Sequence, residues 1–283
     1  MQTTRLSIIG LGLIGGSIAL AVRRSVKHCK IYGYDKSLLA RSRARREKIV
    51  DHVASSAGHC ASQADLIVIA TPLGAARSIF EAIAPDLPDE TVVTDVCSTK
   101  RSIVDMASAL LPNRGRRFVG SHPMFGSERS GIAAADSALV AGCRCILTPT
   151  RQTDASAVRM VKAFWRSIGL NPVLMSPGEH DRVLAKASHL PQALATLLMS
   201  QQTSASMKVS GKGLFDTTRL AGSNPHLWAE ILLDNAEHIA AELRRSAKQT
   251  ARLADMIRAG DEAGVRRSLQ AGRKNRARLE SRV

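Results

Sequence analysis

Short hydrophobic runs alternate with amphipathic stretches over roughly the first 175 positions of the chain. The runs lie at Leu66–Ala70, Thr91–Thr94, Arg117–Val119, Cys143–Leu147 and Pro172–Met175, and two more precede them near Leu6 and at Ile31–Tyr34. Runs of this length predict buried parallel strands. Apolar residues at helical spacing separate them around Ala75–Ala84, Lys100–Leu110 and Asp154–Ile168. The alternation predicts a Rossmann-type doubly wound parallel α/β sheet.

The pattern changes after Ser176-Pro177-Gly178. The remainder has few β-branched runs and is rich in Ala, Leu, Arg and Glu, with apolar residues near helical spacing from Trp228 to Ile257. Asn224-Pro225 is typical of a helix start, with Asn as N-cap and Pro at the first helical position. We therefore expect a Rossmann domain over residues 1–176 and an all-α domain over 177–283. Because long amphipathic helices in so small a domain leave an apolar stripe, we expect this domain to form a homodimer.

A glycine motif, G-x-G-x-x-G, follows the first predicted strand. Its residues are Gly10, Leu11, Gly12, Leu13, Ile14 and Gly15, and a helical pattern follows. In this strand–turn–helix context, the first glycine allows the tight turn, the second lets backbone approach a pyrophosphate, and the third lets helix pack on strand. The phosphates would bind at the positive end of the helix. The motif predicts a dinucleotide site, to which we also assign Thr71 and Pro72 after the strand at Leu66–Ala70.

Asp35 ends the second predicted strand, 20 residues after Gly15. A carboxylate there accepts hydrogen bonds from the ribose hydroxyls and repels a 2′-phosphate, which favours NAD over NADP. Lys36 and the arginines of the next helix leave some use of NADP open. We interpret those arginines as a solvated basic face.

Composition narrows the class of protein further. The chain has 283 residues, a formal net charge of +16, 45% hydrophobic and 3% aromatic residues. Scarce aromatics argue against single-strand nucleic-acid binding, and the charge suits anionic small ligands. No window approaches a membrane span, and the first strand begins too early for a signal peptide. Five scattered cysteines without zinc spacing indicate free thiols in a reducing cytoplasm and no metal site.

Four further segments carry polar groups that can do chemistry. Asp95-Val96-Cys97-Ser98-Thr99-Lys100 and Gly120-Ser121-His122-Pro123-Met124-Phe125-Gly126 each end a predicted strand. Ligands bind at the carboxyl ends of the strands in this fold. Ser188-His189-Leu190-Pro191 opens a predicted helix, and Phe215-Asp216-Thr217-Thr218-Arg219 precedes the Asn-Pro helix.

Taken together, these motifs resemble the prephenate/arogenate dehydrogenase family of tyrosine biosynthesis. The opening GLGLIGGS, then D-V-x-S-T-K, HPMFG, SHLP and DTTR all stand in the family's order and spacing. The resemblance covers essentially the whole chain. It implies oxidation of a ring alcohol by hydride transfer to NAD, with loss of the ring carboxylate as CO2, on prephenate or arogenate.

The resemblance also implies roles for individual residues. His122 matches the catalytic histidine of the family. Imidazole suits this role because it can accept a proton near neutral pH. Ser98 matches a serine that orients this histidine and the nicotinamide. Arg219 matches the arginine that holds a substrate carboxylate. The other residues matched to the substrate site are His189, Gln192, Glu128, Asp216 and Trp228.

Five of these residues also have a structural interpretation. His122 could be a structural hydrogen-bonding histidine, and His189 could start a helix without binding a ligand. Ser98 could cap the following helix, Arg219 could pair with Asp216, and Trp228 could belong to the core. The remaining histidines, His180 among them, match nothing in the family and are interpreted as surface or packing residues.

Two departures concern the substrate side of the pocket. The family commonly has a second histidine in S-H-L-P-H, where this chain has Gln192. It commonly has F-R-D-T-T-R, whereas Leu214-Phe215-Asp216 lacks that arginine. Two alternatives stay open: a related two-domain dehydrogenase acting on another small acid, and a basic nucleic-acid-binding protein.

Overall fold

The computed structural model describes residues 4–127 and 129–281, and eight strands in this part form one sheet in the order β3-β2-β1-β4-β5-β6-β7-β8. The strands are β1 Arg5–Ile9, β2 Lys30–Tyr34, β3 His52–Val53, β4 Leu66–Ile69, β5 Val92–Asp95, β6 Phe118–Pro123, β7 Arg144–Thr148 and β8 Asn171–Leu174. The predicted strands are confirmed to within a residue or two at most ends, although β6 continues through His122 and the short β3 is an addition.

The helices of the sheet region are α1 Leu13–Ser25, α2 Leu38–Arg46, α3 Ala57–Ala61, α4 Ala76–Ile83, α5 Arg101–Leu110 and α6 Ala155–Ser167. The later helices are α7 Pro177–Leu184, α8 Leu190–Ser200, α9 Ser204–Lys208, α10 Lys212–Thr218, α11 Pro225–Asp234, α12 Ala236–Arg258 and α13 Glu262–Glu280. The Asn-Pro helix start is confirmed, because the Asn224 side chain accepts hydrogen bonds from the first turn of α11.

Hydrophobic side chains cover both faces of the sheet. Along β4, Leu66 and Val68 belong to one buried cluster, whereas Ile67 and Ile69 belong to the other. Successive side chains in a strand point to opposite faces, so a strand that is buried on both sides shows a continuous apolar run. The doubly wound fold is therefore confirmed.

One prediction about the sheet is wrong. The run at Cys143–Leu147 is a strand, but β7 pairs antiparallel with β6, through Gly120 opposite Thr148 and His122 opposite Ile146. Parallel neighbours need a crossover connection, usually a helix. Among the described residues between β6 and β7, the helical segments are the short 3₁₀ turns Ile132–Ala134 and Ser137–Leu139, and the chain returns in the opposite direction. Helix α6 lies between β7 and β8 in the chain and forms the crossover connection, so these two strands pair in parallel.

Contacts divide the chain into two compact units, Met1–Asn235 and Ala236–Val283. The first unit thus holds α7 to α11 together with the sheet. The predicted boundary between residues 176 and 177 follows the change from mixed α/β to all-helical structure and stays a prediction. In the second unit, α12 and α13 bury Ile239 and Gly264 and leave Ile257 and Leu269 exposed.

Candidate active site

The glycine turn after β1 leaves the N-terminus of α1 open. Gly10 has φ of +101°, and a Cβ there would lie 2.5 Å from the Ala70 carbonyl oxygen, so the position requires glycine. A Cβ on Gly15 would run into the Gly10 carbonyl oxygen. A Cβ on Gly12, in contrast, would meet no atom within 4 Å. No side chain in the described part of the protein caps α1, so its first amide groups stay available to phosphate oxygens.

Asp35 connects this turn to the end of β2. One carboxylate oxygen accepts a hydrogen bond from the Leu11 amide at 2.7 Å, and the other accepts from the Ser37 amide at 2.8 Å. Each oxygen has a second lone pair, which leaves capacity for ribose hydroxyls. The residues of the turn fit a bound dinucleotide, and Leu13 and Ile14 begin the helix that would carry its phosphates.

A buried ion pair joins the ends of β5 and β6. Lys100 and Asp95 are both fully buried and paired, and the Lys100 ammonium also donates to the Ser121 carbonyl at 2.9 Å. Asp95 in turn accepts from the backbone amides of Ser121 and Cys97, at 2.9 and 2.8 Å. Removing one partner would leave an uncompensated buried charge, so the pair fixes the two strand ends relative to each other.

His122 lies at the carboxyl end of β6 and is 8% exposed. Its Nδ1 lies 2.9 Å from Nε2 of the fully buried His180, and Nδ1 of His180 lies 2.8 Å from a carboxylate oxygen of Asp181. Asp181 also accepts hydrogen bonds from the backbone amides of Lys100 and Arg101 at the start of α5. A continuous polar chain thus runs from His122 through α7 to the N-terminus of α5.

Burial sets the protonation of these groups. It lowers the pKa of His122 well below the usual value, and the neighbouring His180, Lys100 and His189 lower it further. Burial also lowers the pKa of His180, against the opposing effect of Asp181. For Asp181, burial alone would raise the pKa, but hydrogen bonds from His180 and from backbone amides outweigh it and lower the pKa. Both histidines are therefore neutral, and the carboxylate ionised, at neutral pH.

Helix α8 begins at Leu190, with His189 at its N-cap position, as predicted for the segment Ser188-His189-Leu190-Pro191. His189 also ends a π-helical segment, Ala185–His189, that joins α7 to α8 without a break and that the sequence pattern did not predict. Pro191 explains the segment, since its ring conflicts with the carbonyl four residues earlier and forces the helix to widen. His189 is fully buried, its Nδ1 lies 3.1 Å from the Asn235 amide nitrogen, and its ring packs edge-on against Trp228. Burial lowers the pKa of His189 to about 4.

The Nε2 of His189 is buried and has no hydrogen-bond partner among the described residues. Unpaired buried polar atoms are rare, and here the atom belongs to a residue predicted to bind substrate. Trp228 is half-buried beside this ring, so it is not simply a core residue.

Gln192 forms its hydrogen bonds inside the protein. Its amide nitrogen donates to the Leu220 carbonyl at 2.8 Å, and its amide oxygen accepts from the Ser223 hydroxyl at 3.4 Å. These bonds attach α8 to the 3₁₀ turn Arg219–Gly222. Arg219 is exposed at the start of that turn, and Asp216 is exposed on α10. Gln192 therefore positions the segment that begins with Arg219, whereas contact of its amide with substrate stays a prediction.

The remaining predicted site residues are Ser98, Thr71, Pro72 and Glu128. Ser98, Thr71 and Pro72 follow β5 and β4 at the edge of the sheet that also holds the glycine turn. The Thr71 hydroxyl is buried and without a partner among the described residues. Ser98 is half-buried, and its predicted contact with His122 is absent from the described interactions, in which His122 Nδ1 faces His180 instead. Glu128 lies outside the described residues.

Sequence reasoning missed His180, Asp181 and Asn235. The interpretation of His180 as a surface or packing residue is wrong, since both of its ring nitrogens have polar partners. The adjacent His-Asp pair was the available signal, but neighbours in a helix do not normally face each other, so the pair did not suggest an interaction. Asn235 ends α11 and carried no signal.

The glycine turn, the free helix N-terminus and a neutral histidine at the same sheet edge define a dinucleotide-dependent dehydrogenase with a Rossmann domain. A family model described as prephenate dehydrogenase, nucleotide-binding domain, matches residues 18–174. A second, described as prephenate dehydrogenase, dimerization domain, matches residues 176–271. The chain belongs to the prephenate dehydrogenase family, which confirms the resemblance of its motifs.

Individual relatives agree with this assignment. Prephenate dehydrogenase of Bacillus subtilis is 38% identical over 239 residues, covering 82% of this chain and 64% of the relative. Cyclohexadienyl dehydrogenase of Zymomonas mobilis is 34% identical over 254 residues, covering 85% of this chain and 86% of the relative. The crystal structure of Aquifex aeolicus prephenate dehydrogenase in complex with hydroxyphenyl propionate and NAD+ has a TM-score of 0.90 at 32% identity, covering 99% and 98% of the two chains.

Two other features, a metal site and a membrane span, are absent from the residues that the structure describes. No group of three or more His, Cys, Asp or Glu side chains there could hold a metal ion. Nor does any helix in 4–127 or 129–281 combine the length and apolar character that a membrane span requires.

Proposed function

We propose that the protein catalyses the NAD-dependent oxidative decarboxylation of prephenate to 4-hydroxyphenylpyruvate in tyrosine biosynthesis, with some activity on arogenate to form tyrosine. The observation that carries the proposal is a buried, neutral His122 at the carboxyl edge of the sheet that also holds the glycine turn. The family models and the NAD+ complex of the Aquifex aeolicus relative support the cofactor and the reaction class. They also favour this function over a related dehydrogenase acting on another acid.

In the proposed reaction, NAD supplies the hydride acceptor. His122 accepts the proton of the ring hydroxyl, for which an imidazole kept neutral by burial is suited. Loss of the ring carboxylate as CO2 leaves its bonding electron pair in the ring, which becomes a phenolate, and the proton held by His122 returns to this oxygen to give the phenol. Arg219 holds a substrate carboxylate, and Gln192 keeps the segment of Arg219 in place.

We further propose a preference for prephenate over arogenate. The side chain of arogenate carries an ammonium group, which needs a carboxylate nearby when it is desolvated. Gln192, at the position where the family often has histidine, is neutral and 4% exposed. A neutral amide at this position would compensate the ammonium charge of arogenate poorly, whereas it is compatible with the uncharged keto group of prephenate.

The protein is proposed to act in the cytoplasm as a homodimer. The matched dimerization model and the exposed apolar residues of α12 and α13 support the dimer, since a partner would bury them. The five cysteines, all free thiols, support a reducing compartment. Part of the net charge of +16 suits the anionic substrate and cofactor.

The test is NADH formation, followed by fluorescence, with prephenate and with arogenate, each with NAD and with NADP. We expect the highest kcat/KM for the pair of prephenate and NAD. Turnover of neither substrate would refute the proposed function. A strong preference for arogenate would refute only the substrate assignment, and equal use of NADP would refute the role of Asp35.

A further inference from the structure

We propose that His180 and Asp181 are positioning residues that fix the tautomer of His122, so that its Nε2 is the atom that accepts the substrate proton. This inference rests on the proposed function, in which His122 is the base. It assigns the reactive nitrogen and gives a role to two residues that the motifs did not single out.

The Asp181 carboxylate determines which nitrogen of His180 carries the proton. The Asp181 carboxylate accepts hydrogen bonds from the backbone amides of Lys100 at 2.8 Å and Arg101 at 2.9 Å. An ionised carboxylate can only accept hydrogen bonds. The nitrogen that faces it at 2.8 Å, Nδ1 of His180, must therefore carry a proton.

The protonation of His180 in turn determines which nitrogen of His122 carries its proton. A neutral imidazole has one N–H and one lone pair, so the proton on Nδ1 of His180 leaves its Nε2 as an acceptor. Nδ1 of His122 lies 2.9 Å from that acceptor and must donate to it. His122 then carries its single proton on Nδ1, and the lone pair is on Nε2. The same logic operates in Ser-His-Asp triads, where an aspartate selects the tautomer of the histidine.

The geometry keeps this chain of protons from rearranging. Asp181 is held from two sides, because the Asn235 side chain also donates to its backbone carbonyl at 2.8 Å. His180 is fully buried, so water does not compete for its ring nitrogens. The charged groups that act on His122 are the Lys100 ammonium and the rings of His180 and His189 when protonated, and all of them oppose its protonation.

A direct test reads the tautomer without measuring activity. Long-range proton–nitrogen NMR correlations on protein labelled with ¹⁵N-histidine distinguish the two neutral tautomers, and His122→Asn identifies the signals of His122 by their loss. We expect His122 in the Nδ1–H form. Finding the Nε2–H form would overturn the inference while leaving the proposed function intact.

A pair of variants tests the consequence for turnover. His180→Leu keeps the bulk of the side chain but offers His122 no acceptor, whereas the amide oxygen of His180→Gln can still accept from Nδ1. We expect His180→Leu to lower kcat by about 10²–10⁴-fold without changing the KM for NAD, since loss of the correct tautomer has that order of effect. His180→Gln should recover at least part of the lost kcat, and in the NMR experiment it should restore the Nδ1–H form.

The matched control is His59→Gln, at an exposed histidine of α3, which should behave as the parent protein. Equal kcat losses in the two His180 variants, or parent-like kcat in both, would contradict a positioning role. If His180→Leu does not fold, the NMR experiment on the parent protein still decides between the two tautomers.

Discussion

The glycine turn after β1 and the histidine network beside β6 lie at the carboxyl edge of the same sheet, but they are built from different parts of the chain. The turn uses backbone groups within about 25 consecutive residues, from Gly10 to Asp35. The network joins side chains from β6, α7 and the end of α11, up to 113 positions apart between His122 and Asn235. The turn is thus specified locally, whereas the network exists only once distant segments have packed.

This difference predicts distinct consequences of mutation. Changes in the network should affect turnover and acid stability, whereas changes in the turn should affect cofactor binding or, at Gly10, the stability of the fold. Three experiments test these two regions, and one on Arg219, which lies outside both, tests substrate binding separately; the largest expected effect comes first.

Replacing His122 with asparagine should lower kcat by about 10²–10⁴-fold, the usual effect of removing a positioned general base. The asparagine amide lies where the imidazole Nδ1 was, so the contact with His180 can persist and the fold should be kept. NAD affinity, measured by calorimetry, should be unchanged. A kcat close to that of the parent enzyme would remove His122 from the mechanism.

Arg219→Gln should raise the KM for substrate by about tenfold to a hundredfold, because a charge-assisted bond to a carboxylate contributes roughly 1.5–3 kcal/mol. Steady-state kinetics with varied substrate measure this change. Arg77→Gln, at an exposed ion pair on α4, is the matched control and should leave the KM unaltered. An unchanged KM with a lower melting temperature would favour a structural role for Arg219.

Gly12→Ala tests whether the second glycine serves the ligand rather than the fold. A methyl group there meets no protein atom within 4 Å, so the melting temperature should hardly change. It should weaken NAD binding by about tenfold, since steric crowding costs roughly 1–3 kcal/mol. Gly10→Ala is the contrasting variant and should mainly destabilise the protein, because its φ is +101°. Unchanged NAD affinity in Gly12→Ala would place the pyrophosphate elsewhere.

The buried histidines should make the fold acid-sensitive. The pKa of His189 is about 4 in the folded protein and about 6.5 in an unfolded chain. Below pH 6.5 the unfolded state binds more protons, so stability present above that pH is lost as the pH falls towards 4. Between pH 7.5 and 5.5, His189 should account for a loss of about 1 kcal/mol in unfolding free energy. Denaturant titrations should show a correspondingly smaller loss in His189→Gln, and an equal loss would place a charged His189 in the native state.

The sequence by itself determined those parts of the protein that depend on short-range pattern. Apolar runs located nearly all the strands, because a strand buried on both faces needs continuous hydrophobic residues. The spacing of Gly10, Gly12, Gly15 and Asp35 identified the cofactor turn, because backbone conformation and chain reach act over few residues. The HPMFG, SHLP and DTTR segments identified the family and pointed to His122.

Only the tertiary structure decided the direction of β7 and the surroundings of His122. A connection without a crossover helix reverses the strand, and an apolar run reads the same in either direction. Nothing local to His180 shows that it meets His122, because 58 residues separate them and only the packing of α7 against the sheet brings their rings to 2.9 Å. Likewise, the hydrogen bond that the Gln192 side-chain amide donates to the Leu220 carbonyl joins residues 28 positions apart. Hydrogen bonds between distant side chains depend on the packed geometry, whereas hydrophobic periodicity and glycine turns depend on residues that are close together in the sequence.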